Sequence, residues 1–86
     1  MDFEIASEVL RAIAHPVRLK ILCGLLKDEC NVSEMIEKTN VSQSNVSQHL
    51  SILRRQRIIV PKRIGNKRCY RIVDERVVEI LKILGK

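Results

Sequence analysis

The sequence is poor in aromatic side chains, with one Phe, one Tyr and no Trp in 86 residues. That excludes the ring platforms on which single-stranded nucleic acids stack. It holds only three Gly and two Pro, too few for a Gly-rich phosphate loop, a low-complexity segment or a flexible linker. No apolar run approaches the ~20 residues of a membrane span. The opening residues, Met1-Asp2-Phe3-Glu4, lack the basic stretch of a signal peptide. The expectation is therefore a cytoplasmic protein with no membrane partner, whose thiols stay reduced. Cys23, Cys30 and Cys69 are spaced too widely for a zinc site of the CxxC type. No nucleophile–base pair and no paired carboxylates stand in one motif. Neither an enzyme, a cofactor nor a bound metal is expected.

The most telling absence is local. From Lys38 to Arg71 there is no Asp or Glu, while nine Lys or Arg fall in that span. The remainder of the chain carries seven basic and ten acidic residues. The net charge of +6 is thus concentrated in one segment, and localised positive charge is the footprint of phosphate binding. A uniformly basic, soluble protein would not be expected to keep so long a segment free of acids.

Within that segment, Ser42 to Arg55 reads as a helix. At ~100° per residue, Val46, Leu50 and Leu53 form one apolar stripe. Ser44, Ser47, Gln48, Ser51 and Arg55 form the opposite face. An ordinary solvated face is built from Glu and Lys, which favour helix. Ser and Gln are short hydrogen-bonding groups able to engage base edges and phosphates in a major groove. The face is read as that of a DNA recognition helix; the plainer alternative is a Ser-rich surface helix.

The other elements follow from periodicity and punctuation. Ala6, Val9, Leu10 and Ile13 have helical spacing, and His15-Pro16 ends that helix. Pro16 then opens a second helix to about Lys27, apolar nearly all round, and expected to be the central core helix. Cys30-Asn31-Val32 reads as a short strand. Ser33 caps a helix from Glu34 to about Thr39, and Asn40-Val41 turns into Ser42, the cap of the next. Two helices so joined make a helix-turn-helix, whose second member enters the major groove. Ile58 to Ile64 and Lys67 to Val73 read as two strands joined at Gly65-Asn66, with Pro61 favouring an edge. Arg63, Lys67 and Arg68 tip this hairpin, which reads as a wing touching phosphates or a minor groove. Asp74 caps a last helix carrying Val77, Ile80, Leu81 and Leu84. The expected fold is mostly α with a small β-hairpin: a single winged helix-turn-helix domain over residues 1–86. It has about five helices and a wing sheet of two or three strands.

The residues also resemble a family. Leu10 to Leu22, with Ala14-His15-Pro16-Val17-Arg18 at its centre, is similar to the opening of the ArsR/SmtB winged-helix repressors. Val41 to Leu50, followed by Leu53, resembles their recognition helix, and Gly65 to Ile72 their wing. The resemblance implies a homodimer built from the first and last helices, acting as a repressor released by a metal, a metalloid or a thiol-reactive species. The family's sensor sites are incomplete here. Asn31 and Ser33 stand where soft-metal sensors carry the thiols of Cys-Val-Cys, leaving only the adjacent Cys30. Asp74-Glu75-Arg76 replaces the Asp-x-His of zinc sensors, with no later His. Cys23 matches one thiol of sulfur-species sensors, but the last helix has no Cys.

Cys23, within an apolar helix, is expected to be an inert core residue. In winged helices the strand before the third helix usually pairs with the returning wing strand. That pairing could bring Cys30 close to Cys69, whose neighbours Arg68 and Arg71 favour thiolate. Either these two form a redox or soft-metal switch, or they are unrelated, partly buried thiols. His15 is expected to be structural, and His49, ~60° from Val46 on the helix, a packed and hydrogen-bonded residue.

The leading reading is a DNA-binding transcriptional regulator, a repressor binding a palindromic operator as a homodimer. Ser42, Gln43, Ser44, Asn45, Ser47 and Gln48 are its candidate contacts on the helix, and Arg63, Lys67 and Arg68 on the wing. Its partners are double-stranded DNA and a second copy. The alternatives are a winged-helix module binding an acidic protein partner, and a constitutive DNA-binding regulator without an effector.

Overall fold

The computed structural model describes residues 1–27, 42–65 and 67–85, with backbone alone at Gln43, Ile64, Lys67 and Arg68. Its elements are α1 (Phe3–Ile13), α2 (Pro16–Leu26), α3 (Gln43–Arg55), β1 (Ile59–Ile64), β2 (Lys67–Ile72) and α4 (Glu75–Leu84). Two expected elements, the strand at Cys30–Val32 and the helix from Glu34 to Thr39, lie outside the described residues.

Each helix starts where a side chain can satisfy backbone N–H groups that have no partner of their own. The Asp2 carboxylate accepts from Glu4 and Ile5 at 3.1 and 3.2 Å. His15 does the same for α2 through its ring: Nδ1 accepts the Val17 N–H at 3.1 Å, with Pro16 in the first turn. Ser42 Oγ accepts from Asn45 at 3.3 Å, and Asp74 Oδ1 from Arg76 at 3.0 Å.

Helix α3 ends in a Schellman arrangement. The Ile58 N–H reaches the Leu53 carbonyl and the Arg57 N–H the Arg54 carbonyl. This geometry places Arg57 at φ 57°, in the left-handed region. Glycine usually takes that position because a Cβ is unfavourable there. Burial of both Leu53 and Ile58 supplies the apolar contact that accompanies the motif.

The strands form an antiparallel hairpin in the register Ile59↔Ile72, Pro61↔Tyr70, Lys62↔Cys69 and Arg63↔Arg68. Gly65 turns the chain at φ +60°. β1 and β2 make a two-stranded sheet among the described residues.

The core joins Val9, Ala12 and Ile13 of α1 to Ile21, Leu22 and Leu25 of α2. It continues through Val46, Leu50 and Leu53 of α3, Ile58 and Ile59, and Val77 and Leu81 of α4. Helix α2 packs against α1, α3, β2 and α4, the central role its composition predicts. Its burial is nevertheless one-sided. Ile21, Leu22 and Leu25 are buried, whereas Cys23 and Leu26 are exposed. Cys23 is therefore not a core residue, contrary to expectation. It and Leu26 share a second apolar arc of the helix, and composition cannot tell which arc the tertiary fold covers.

Candidate nucleic-acid interface

Helix α3 presents the two faces its sequence predicts. Val46, Leu50 and Leu53 are buried, while Ser44, Asn45, Ser47, Gln48, Ser51, Arg54 and Arg55 are exposed. The apolar stripe fixes the helix by burial, and this leaves the hydrogen-bonding face outward. Ser42 is exposed at the helix start, its Oγ 3.3 Å from that of Ser44. Ser42 Oγ also accepts the Asn45 N–H, so this hydroxyl caps the helix. Gln43 is the first residue of the helix.

Three basic residues fall at the end of the wing by backbone register. Arg63 and Arg68 are register partners, and Lys67 pairs with Ile64 on the last rung. Like charges directly opposite one another cost a hairpin stability. Arg63 and Lys62 are exposed. Where α3 meets the hairpin, Arg54, Lys62 and Arg63 line one groove with Pro61, Cys69 and Tyr70, of about 270 Å³. Arg54 and Lys62 are not among the contacts expected from the sequence. Their place in the acid-free segment was the available signal; their convergence needs the fold.

The cysteines divide differently from expectation. Cys69 is 1% exposed on β2 and is held in a disulfide, so its sulfur does not titrate and the expected thiolate is not formed. Cys23 is free and exposed. Cys30 lies outside the described residues.

Behind the polar face, the α1–α2 corner meets α3. The His15 and His49 rings lie 4.5 Å apart, tilted at 44°, and His49 Nδ1 is 3.2 Å from an Arg18 guanidinium nitrogen. His49 is thus packed and hydrogen-bonded, as expected. Burial, then His15, then Arg18 hold its pKa below the ordinary histidine value. At the head of α4, the Arg76 guanidinium donates to both Asp74 oxygens. That hydrogen bonding is the main reason the Asp74 carboxyl stays below the usual carboxylate range. Among the described residues no cluster of His, Cys, Asp and Glu could hold a metal ion. None of their helices is long and apolar enough to cross a membrane.

Comparison with known proteins gives concordant results. The family model for the bacterial regulatory protein, arsR family, matches residues 15–60. The chain is 41% identical over 84 residues to the nodulation protein NolR of Rhizobium meliloti, covering 98% of this chain and 69% of that protein. It is 37% identical over 76 residues to the HTH-type transcriptional repressor SmtB of Mycobacterium tuberculosis, covering 88% of this chain and 56% of the repressor. The crystal structure of the transcriptional repressor PagR of Bacillus anthracis superposes with a TM-score of 0.82 at 38% identity, covering 98% of this chain and 97% of that one.

Proposed function

This chain belongs to the arsR family of bacterial regulatory proteins, as a DNA-binding transcription regulator of winged helix-turn-helix fold, and we propose that it is a homodimeric repressor of a palindromic operator. The observation that carries the reading is the exposed Ser/Gln face of α3, free of acid and flanked by cations. In this reading Ser42, Gln43, Ser44, Asn45, Ser47 and Gln48 meet bases and phosphates, and Arg63, Lys67 and Arg68 hold the wing on the backbone. The protein binds and does not catalyse.

Exposed apolar side chains at both ends support the dimer. Phe3 and Leu10 of α1 are 78% and 52% exposed, and Leu84 of α4 is 67% exposed. Ile5, Ala6, Val9 and Leu10 share one groove with Ile80 of α4, edged by Asp2 and Arg76, so apolar groups of the two helices meet there. Isolated exposed residues are ordinary on a monomer, but a contiguous set marks an interface. Two recognition helices would then sit about one DNA turn, ~34 Å, apart.

The effector in this reading is a thiol reductant acting on the disulfide at Cys69, with Cys30 as the second cysteine the sequence assigns to the switch. The disulfide at Cys69 lies in β2, opposite Lys62, where opening it would loosen the wing. A dithiol would reduce the bond to two thiols and itself close to a cyclic disulfide.

The test is enrichment of duplexes from a random-sequence library, followed by affinity measurement against salt. An enriched palindrome is expected, with affinity falling steeply between ~50 and ~200 mM salt as counterions are released. No enriched sequence, or a flat salt response, would refute the reading. Dithiol treatment should change operator affinity in the parent and leave a Cys30→Ser, Cys69→Ser variant unmoved.

A further inference from the structure

We propose that Arg18, His15 and His49 form a latch that sets the orientation of the recognition helix α3, and that it holds only while both imidazoles are neutral. The proposal rests on the DNA-binding reading above and deepens it by naming positioning residues behind the reading face.

Hydrogen-bond bookkeeping fixes the ring states. Arginine has no acceptor and does not lose its proton, so the contact at 3.2 Å requires His49 Nδ1 to accept from Arg18. The His15 Nδ1 likewise accepts, from the Val17 N–H. Each neutral ring then carries its proton on Nε2, and its one remaining lone pair is already in use. A proton added to His49 replaces an acceptor with a donor facing the Arg18 guanidinium. A proton added to His15 removes the cap of α2. Either proton also places a cation against the other ring, 4.5 Å away.

The surroundings provide little to offset that charge. Facing His49 from α2 are Arg18 and His15. From α1, Glu8 and Arg11 line the cleft beside Arg18; the Arg11 carbonyl is 3.5 Å from the second Arg18 nitrogen. From the hairpin, Lys62 and Arg63 lie beside Arg54, toward the far end of α3. Arg18 Nε is buried without a hydrogen-bond partner among the described residues, so the guanidinium is held at a cost by its remaining contacts. A buried polar atom left unpaired in this way calls for an explanation, and fixing α3 against the α1–α2 corner supplies one. His49 adjoins Gln48 in the chain and lies one helical turn from Asn45. A tilt at His49 therefore moves the reading groups directly.

The latch couples protons to DNA. Acid should loosen α3 and lower discrimination between sequences, even though added positive charge favours non-specific binding to phosphate. By linkage, bound operator should make His49 harder to protonate than bound scrambled duplex does.

The test compares the parent with a His15→Asn, His49→Asn variant. Asn keeps an acceptor near the Nδ1 position and still caps a helix, but does not titrate. The probes are a duplex selected by the parent at about pH 7.5 and a scrambled duplex of the same length, measured again at about pH 5.5. In the parent, the ratio of the two affinities should fall about fivefold or more on acidification. The variant should hold its ratio within about twofold. Parallel pH profiles for the two proteins would overturn the proposal. Nitrogen NMR of the parent's histidines decides independently, should the variant not fold or no duplex be selected. A neutral His49 ring protonated on Nε2 near pH ~7 is expected; a charged His49, or one protonated on Nδ1, would overturn the latch. Failure to select any duplex refutes the DNA reading, while the ring states still judge the latch.

Discussion

At the scale of single residues, side chains on α3 divide by what they touch. Gln48 is exposed beside Ser47 and has no packing role to lose. Gln48→Ala should therefore leave folding intact and lower discrimination between operator and random DNA by about 1–3 kcal/mol, measured by competition binding. Lys67 carries charge at the wing tip. Lys67→Ala should weaken both kinds of DNA about equally and reduce the salt slope by about 1. His49 gives a pH dependence whose sign follows from its surroundings. Burial, His15 and Arg18 hold its folded pKa below the unfolded value of 6.5. Below 6.5 the unfolded chain takes up this proton more readily than the folded one. The stability His49 contributes is full above that value and declines as pH falls through the window below it. Thermal melting across about pH 7.5 to 5 should show this loss in the parent and less of it in His49→Asn.

At the scale of elements, the ends decide more than the middles. Asp74 caps α4 and is gripped by Arg76. Asp74→Ala should cost about 1 kcal/mol in denaturant unfolding, while Asp74→Asn, which still caps, should cost less. Because the folded Asp74 pKa is lowered, its contribution is present above 3.8 and is lost as pH falls through the folded value. Arg57 occupies a left-handed position at the end of α3. Arg57→Gly should raise stability by roughly 1 kcal/mol, since glycine bears no Cβ penalty there. The helix boundaries were legible in the sequence because caps are local: Ser42 and Asp74 are read correctly, as are Pro16 and the hairpin turn at Gly65. The cap made by the His15 ring was not, because imidazole is not among the usual capping side chains. The left-handed Arg57 was also missed, since a basic residue gives no signal for that conformation.

At the scale of the whole molecule, the apolar surface of α1 and α4 is the feature with the largest consequence. Helical spacing groups Leu10 with Val9 and Ile13, and Leu84 with Val77 and Leu81. The fold separates them: Val9, Ile13, Val77 and Leu81 enter the core, while Leu10 and Leu84 remain outside. In the dimer reading, Leu10→Asp should shift the protein to monomer in light scattering. Operator binding should be lost with it, because one half-site alone supplies only part of the contacts. The monomer should keep its helical signal, since Leu10 is 52% exposed and outside the core.

The sequence by itself determined the order of the described elements, the core stripe of α3, the acid-free segment and therefore the kind of polymer the protein meets. These are properties of neighbours along the chain, set by periodicity, capping and local charge. Tertiary structure alone decided that Cys23 faces out and Cys69 faces in, that Arg54 joins Lys62 and Arg63 at one groove, and that the His15 ring meets that of His49. Each depends on which arc of a helix or face of a strand the packing covers, and on contacts between residues far apart in the chain.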